Sequence, residues 1–190
     1  WALEEASKEI VNFKNSGMSL MEVSHRTPLY EDVHNETISL IRELYKVPDN
    51  FDILFLQGGA SSQFYMVPMN LLHGEDVADY VISGAWSEKA IKEAKILGKK
   101  VNIAGSSKDT NFNYIPDRLA LTPNAKYIHI TSNETIHGVQ YKRLPETNGV
   151  PLIIDASSDI FSYPIDWKNI GLIYAGAQKN MGPAGTTLVV

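Results

Sequence analysis

Lys179 stands where the apolar run Gly171-Leu-Ile-Tyr-Ala-Gly176 gives way to a glycine-rich turn that ends at Gly185. A second apolar run, Val150 to Ile154, ends upstream in Asp155. An amine can hold an aldehyde as a Schiff base, and a carboxylate can keep a pyridine nitrogen protonated. A pyridoxal phosphate enzyme requires both. The amine must also be desolvated enough to give up its proton, which a largely water-free pocket would supply. Each residue has an ordinary rival role. A lysine after a strand is usually a solvated charge, and Asp155, Ser157 or Ser158 could cap a following helix.

Other chemically loaded positions also fall just after apolar runs. Gln57-Gly-Gly-Ala-Ser-Ser-Gln63 joins a strand to a helix start, where glycines and free amides suit an anion. The alternative is a tight turn with Ser61 or Ser62 as N-cap. Trp86 could stack on a planar ring or simply pack in the core. Thr135 could hydrogen-bond a ligand oxygen or satisfy its own backbone. Gln178 could reach a phosphate or stay exposed. His25 and Arg26 lie in an irregular segment, and the arginine offers a planar fork for carboxylate or phosphate. His137 fits a loop role. The five histidines show no metal-ligand spacing, and there is neither a P-loop, a dinucleotide fingerprint nor a nucleophile elbow.

These positions need a scaffold. The spacing predicts an amphipathic helix over 2–15 stopped by Gly17, and a stronger helix over 30–46. Val33, Thr37, Ile38, Ile41, Leu44 and Tyr45 would share one face of the second. Strands are expected at 51–56, 80–82, 100–103, 127–131, 151–154 and 170–174. Helices are expected at 63–72, kinked or begun by Pro68, and at 88–97, ended by Gly98. A short helix after Pro116 would hold Arg118, and a hairpin would surround Gly138–Tyr141. Short apolar strands alternating with helices predict an α/β domain with a largely parallel sheet. Ligands collect beyond the carboxyl ends of such strands.

Composition narrows the class. Hydrophobic residues are 44% and charged residues 21% of the 190, with net charge −5 and pI near 5.5. This describes an ordinary globular protein and argues against nucleic-acid or acidic-membrane binding. With no cysteine, disulfides and thiolate chemistry are excluded. No apolar stretch approaches membrane-spanning length, and the first residues lack a secretory pattern, so a soluble cytoplasmic protein is expected. Trp1 opens on a helical pattern and Thr187–Val190 stops inside an apolar run, which together suggest a fragment.

Several blocks in order resemble the phosphoserine aminotransferases, a family of fold-type-I, class V pyridoxal phosphate enzymes. They are Asn12-Phe-Lys-Asn-Ser-Gly-Met-Ser19, Glu22-Val-Ser-His-Arg26, Leu56-Gln-Gly-Gly-Ala-Ser-Ser-Gln-Phe64, Val67-Pro-Met-Asn-Leu71, Ser132-Asn-Glu-Thr-Ile-His-Gly138, Asp155-Ala-Ser-Ser-Asp159 and Gly176-Ala-Gln-Lys-Asn-Met-Gly-Pro-Ala-Gly185. The resemblance implies the three-layer large domain of that fold over 1–190, without its small C-terminal domain. It implies pyridoxal 5'-phosphate as cofactor, with Lys179 forming the Schiff base and Asp155 pairing with the ring nitrogen. Trp86 would stack on the ring, and Thr135 would contact its phenolic oxygen side. Ala60, Ser61 and Gln178 would hold the phosphate. His25 and Arg26 would bind substrate anionic groups. The implied reaction of serine biosynthesis converts L-glutamate and 3-phosphohydroxypyruvate to 2-oxoglutarate and O-phospho-L-serine, in a homodimer whose subunits share each site.

Two departures accompany the match. Some family members carry arginine where this chain has Ser61, and the similarity covers only about the first half of a family chain. The alternatives are another fold-type-I enzyme, such as an alanine–glyoxylate aminotransferase or a cysteine desulfurase whose cysteine would lie outside this segment, and a truncated, non-catalytic cofactor-binding domain.

Overall fold

Short apolar runs become strands here because most are buried on both faces, as parallel strands between layers must be. In the computed structural model, which describes residues 1–190, seven of them pair in one sheet. The strands are β1 (Leu54–Leu56), β2 (Val77–Ile82), β3 (Lys100–Ser106), β4 (Ile128–Thr131), β7 (Leu152–Asp155), β8 (Ile170–Gly176) and β9 (Thr187–Val189). Their order is β1-β9-β8-β7-β4-β2-β3. All neighbours are parallel except β9, which runs antiparallel to both β8 and β1. A separate two-stranded ribbon pairs β5 (Asn133–Glu134) with β6 (Val139–Gln140), giving the expected hairpin.

The chain divides into two compact units, Trp1–Val47 and Pro48–Val190. In the first, α1 spans only Ala2–Glu9, not 2–15. Two β-branched residues, Ile10 and Val11, follow it. The Asn12 side chain then accepts the Gly17 N–H at 2.8 Å, and Phe13 N–H donates to the Met18 carbonyl, closing a local loop. Helix α2 spans Pro28–Tyr45, with proline at its start and its fixed φ preorganised for the first turn. Ile41 and Tyr45 are its buried side chains. Leu44, expected on that face, is exposed. At 3.6 residues per turn it projects about 80° away from the line midway between those two.

In the second unit, α3 (Gly59–Leu71) and α4 (Ala85–Ile96) pack on each other and on one sheet face. Alternation along the strands assigns Tyr80 and Ile82, Ile153, Tyr174 and Val189 to that face, with Phe64, Val67, Ala90 and Ile91 from the helices in the same cluster. Ile128, Ile130, Leu152, Ile154 and Ile173 point the other way and are also buried. Burying one such side chain contributes about 1.5–3 kcal/mol. Pro68 sits inside α3 and does not begin it. No helix is long and apolar enough to cross a membrane.

Arg118 is not helical; residues 113–122 form an irregular segment drawn along β3. Ala120 N–H donates to the Ala104 carbonyl at 2.7 Å, and the Asn102 amide donates to the Ala120 carbonyl. Fully buried Asp79 completes the tie by accepting the Thr122 N–H at 2.8 Å, the Thr122 hydroxyl at 2.7 Å and the Asn102 amide at 2.8 Å. These bonds take the polar groups a helix would have used internally. Asp79→Ala is expected to lower stability by about 2–4 kcal/mol, since three donors lose one charged acceptor. Urea unfolding measures the loss, and hydrogen exchange should show residues 118–122 opening first.

Candidate functional site

Because β1, β2, β3, β4, β7 and β8 point the same way, their carboxyl ends lie along one edge of the sheet. Asp155 is the last residue of β7 and pairs with Thr131 of β4 and Tyr174 of β8. It faces the α3–α4 side and is 4% exposed. Its Oδ1 accepts the Ser157 hydroxyl at 2.6 Å and the Ser157 N–H at 3.1 Å. The Ser157 oxygen in turn accepts the Gly176 N–H at 3.1 Å. Asp155 therefore caps a turn, not the helix its rival role required. Burial pushes its carboxyl up to about 6, against the downward pull of the Ser157 bonds and the Lys179 charge, while Glu134 pushes it higher.

Lys179 lies beyond the end of β8, in a turn closed by the Met181 and Gly182 N–H groups on the Ala177 carbonyl. Its Nζ is 4.9 Å from the centre of the Trp86 ring, and Lys89 Nζ approaches the same ring at 4.3 Å. An indole face attracts ammonium groups at such distances. The amine is exposed in this chain, so the desolvated pocket expected around it is not formed by these residues alone. Trp86 opens α4, half-buried against the core cluster, with its indole N–H buried and unpartnered.

The glycine turn also differs from its rival reading. Gly58 is the N-cap of α3, with φ of 96°, a conformation natural only to glycine. Neither Ser61 nor Ser62 caps the helix; the Ser62 hydroxyl donates to the Gly58 carbonyl at 2.8 Å. The first-turn amides of α3 thus carry no side-chain cap. Ala60 is half-buried and Ser61 exposed. Gln178 is exposed and its amide folds back over Gly176. Thr135 is exposed in the β5–β6 turn and lines a cleft of about 540 Å³ with Tyr114, Asn133 and Lys142. That cleft does not include Lys179 or Asp155 in its lining. The electrostatic and ring contacts above locate the chemistry better than cleft size does. His25 and Arg26 belong to the Trp1–Val47 unit, in the exposed segment before α2.

Two groups escaped the sequence. Glu134, fully buried, accepts the Trp86 N–H at 3.1 Å, and the Ser87 N–H and hydroxyl at 2.8 and 2.7 Å. His129, hidden in an apolar strand, meets the Tyr174 hydroxyl at 2.8 Å and stacks on Tyr80 at 5.0 Å. Burial pushes His129 down to about 3, so the ring stays neutral beneath the site. Their partners are far away in sequence, and no local pattern marks them. The one available cue was the position of Glu134 beside Thr135.

The class-V aminotransferase family model matches residues 2–190. This chain belongs to that family. Among curated relatives, the phosphoserine aminotransferase of Desulfatibacillum aliphaticivorans is 58% identical over 188 residues, covering 99% of this chain and 52% of its own length. Among solved structures, the phosphoserine aminotransferase from Bacillus circulans subsp. alkalophilus superposes with a TM-score of 0.94 at 50% identity, covering 98% of this chain and 52% of that one. The pyridoxal-phosphate-bound phosphoserine aminotransferase from Trichomonas vaginalis gives 0.92 at 41% identity, covering 98% and 53%. The chain spans about half the length of the curated relatives it matches. The α/β fold with its mainly parallel, helix-flanked sheet matches that of these phosphoserine aminotransferases over about half of their length.

Proposed function

We propose that this chain is the large, cofactor-binding part of a phosphoserine aminotransferase. In the full-length protein it would act on L-glutamate and 3-phosphohydroxypyruvate, giving 2-oxoglutarate and O-phospho-L-serine for serine biosynthesis. The observation that carries the proposal is a buried carboxylate, Asp155, lying within electrostatic reach of Lys179 while Lys179 Nζ sits 4.9 Å from the Trp86 ring. The 58%-identical relative of that name supports the choice of substrates.

The residues suit pyridoxal phosphate. Burial still holds this acid up at about 6 despite the Ser157 bonds and the Lys179 charge, so a closer cation would be favoured beside it; a protonated ring nitrogen would be one. The uncapped start of α3, at Ala60 and Ser61, suits a phosphate, with Gln178 able to reach it. Trp86 offers a flat surface for a ring, and Thr135 a hydroxyl for a ring oxygen. When bound, the cofactor would supply an aldehyde and an electron sink.

The chain's own residues then divide the labour. Lys179 would anchor the aldehyde and, once released, carry a proton from the substrate Cα to the cofactor's exocyclic carbon. Asp155 would hold the ring nitrogen protonated, and Ser157 would fix the carboxylate's orientation. Trp86 would exclude water from one ring face. His25 and Arg26 would bind the anionic groups of the substrates. A cytoplasmic homodimer, with each subunit completing its partner's site, is part of the same proposal; it would supply the cover that exposed Lys179 needs.

Borohydride reduction of the full-length protein after incubation with pyridoxal phosphate should place one cofactor adduct on Lys179 by peptide mapping. An assay with paired donors and acceptors should show glutamate and phosphohydroxypyruvate preferred. Alanine and glyoxylate as the best pair would overturn the substrate assignment.

A further inference from the structure

The α4 start and the β5–β6 hairpin meet through one buried carboxylate. Glu134 accepts the Trp86 N–H on Oε2, and the Ser87 N–H and hydroxyl on Oε1. The Ser87 oxygen also accepts the Ser83 and Gly84 N–H groups at 3.0 Å, so the acid organises the whole turn leading into α4. A negative charge at a helix N-terminus is stabilised by the helix dipole. Yet an ordinary N-cap comes from a residue beside the helix; this one arrives from another element and sits next to Thr135.

Gly84 supports a specific fit. Its φ of 169° is extended backbone open to any residue, so conformation does not explain the glycine. Space does: a Cβ there would lie 2.5 Å from the Glu134 carboxyl carbon and 2.6 Å from Oε2. The strand–helix turn is cut away to admit this side chain.

We propose that Glu134 is a positioning residue of the ring site. It ties the backbone that carries Trp86 to the hairpin that presents Thr135, so that the residue over the ring face and the residue at its oxygen keep a fixed separation. The inference rests on the cofactor reading above.

Glu134→Gln provides the test in the full-length protein, with every other tryptophan, Trp1 and Trp167 included, replaced by phenylalanine so that Trp86 alone answers excitation at the indole red edge. The amide keeps one oxygen for Ser87 but turns a donor toward the Trp86 N–H, so one contact is lost and the side-chain volume kept. Acrylamide quenching of Trp86 without cofactor is expected to rise about 2-fold, and the pyridoxal phosphate Kd about 10-fold, as losing a charge-assisted hydrogen bond predicts. Gly84→Ala, which crowds the carboxyl without removing its charge, should reproduce both changes if Glu134→Gln fails to fold. A lower melting temperature with Trp86 quenching and cofactor affinity unchanged would make Glu134 merely structural and overturn the proposal. Wild-type protein that takes up no pyridoxal phosphate would defeat the cofactor reading instead, while the quenching comparison would still decide whether Glu134 holds Trp86.

Discussion

Lys179→Ala in the full-length protein is expected to reduce glutamate-dependent transamination by at least about 1,000-fold, because both the covalent anchor and the proton carrier disappear. The fold should not follow. Lys179 is exposed and belongs to no ion pair; its recorded contact is the Trp86 ring at 4.9 Å. Losing that cation–π contact costs about 0.5–1 kcal/mol at an exposed site. Cofactor should still bind, more weakly, through Asp155, Trp86 and the start of α3, but borohydride should no longer trap it. Lys179→Arg should fail as badly, since guanidinium does not give up its proton. Steady-state kinetics together with reductive trapping check this, and near-normal turnover by the alanine variant would refute the lysine assignment.

Asp155→Asn carries the second large effect, in two measurements of opposite sign. Turnover should fall by about 100-fold or more, because a neutral amide cannot keep a ring nitrogen charged; proton abstraction should slow more than substrate binding weakens. Stability without cofactor should rise. The folded carboxyl sits at about 6 against an ordinary 3.8, raised first by burial. A carboxyl raised on folding stabilises the protein fully below its unfolded pKa, and that contribution is lost as pH climbs through the folded one. The gap corresponds to about 3 kcal/mol. Between pH 4 and pH 7 the wild-type chain should therefore lose stability relative to Asp155→Asn, which has nothing to titrate there. Added pyridoxal phosphate should reverse the ranking by giving the carboxylate its cation. Urea unfolding of both proteins at pH 4 and pH 8, with and without cofactor, tests the pair. Equal stability at pH 8 without cofactor would mean that burying this charge costs nothing.

The same physics explains which parts of the molecule the sequence disclosed. Strand β7 was visible because a fully buried parallel strand reads as an unbroken apolar run, and Asp155 was visible because it ends that run. Helix α2 announced itself through the spacing of its apolar residues, while its start was expected at 30, two residues after Pro28, where it begins. Lys179, Trp86 and Thr135 stood out by following such runs, where the topology collects ligands. Other features depend on distant partners. The Arg118 segment has a helical composition, but Asp79, Asn102 and Ala104 claim its backbone. The serines after Gly59 have the right chemistry for a cap, yet Gly58 already turns the chain into α3. Glu134 looked like one loop acid among others, since the amides that explain it lie 47 and 48 residues away.

Strand β9 has a consequence for biosynthesis. Leu54 pairs with Val189 and Leu56 with Thr187, so β1 joins the sheet solely across β9. A ribosome will have released β1 long before the residues that hold it exist. Closing so long a loop is entropically costly and slow. Until it closes, the flank of β8 that β9 will cover offers bare amide and carbonyl groups to any passing strand. The nascent chain is therefore most prone to sticking in the interval between the emergence of β8 and the docking of β9 with β1, and that is when a chaperone would help most.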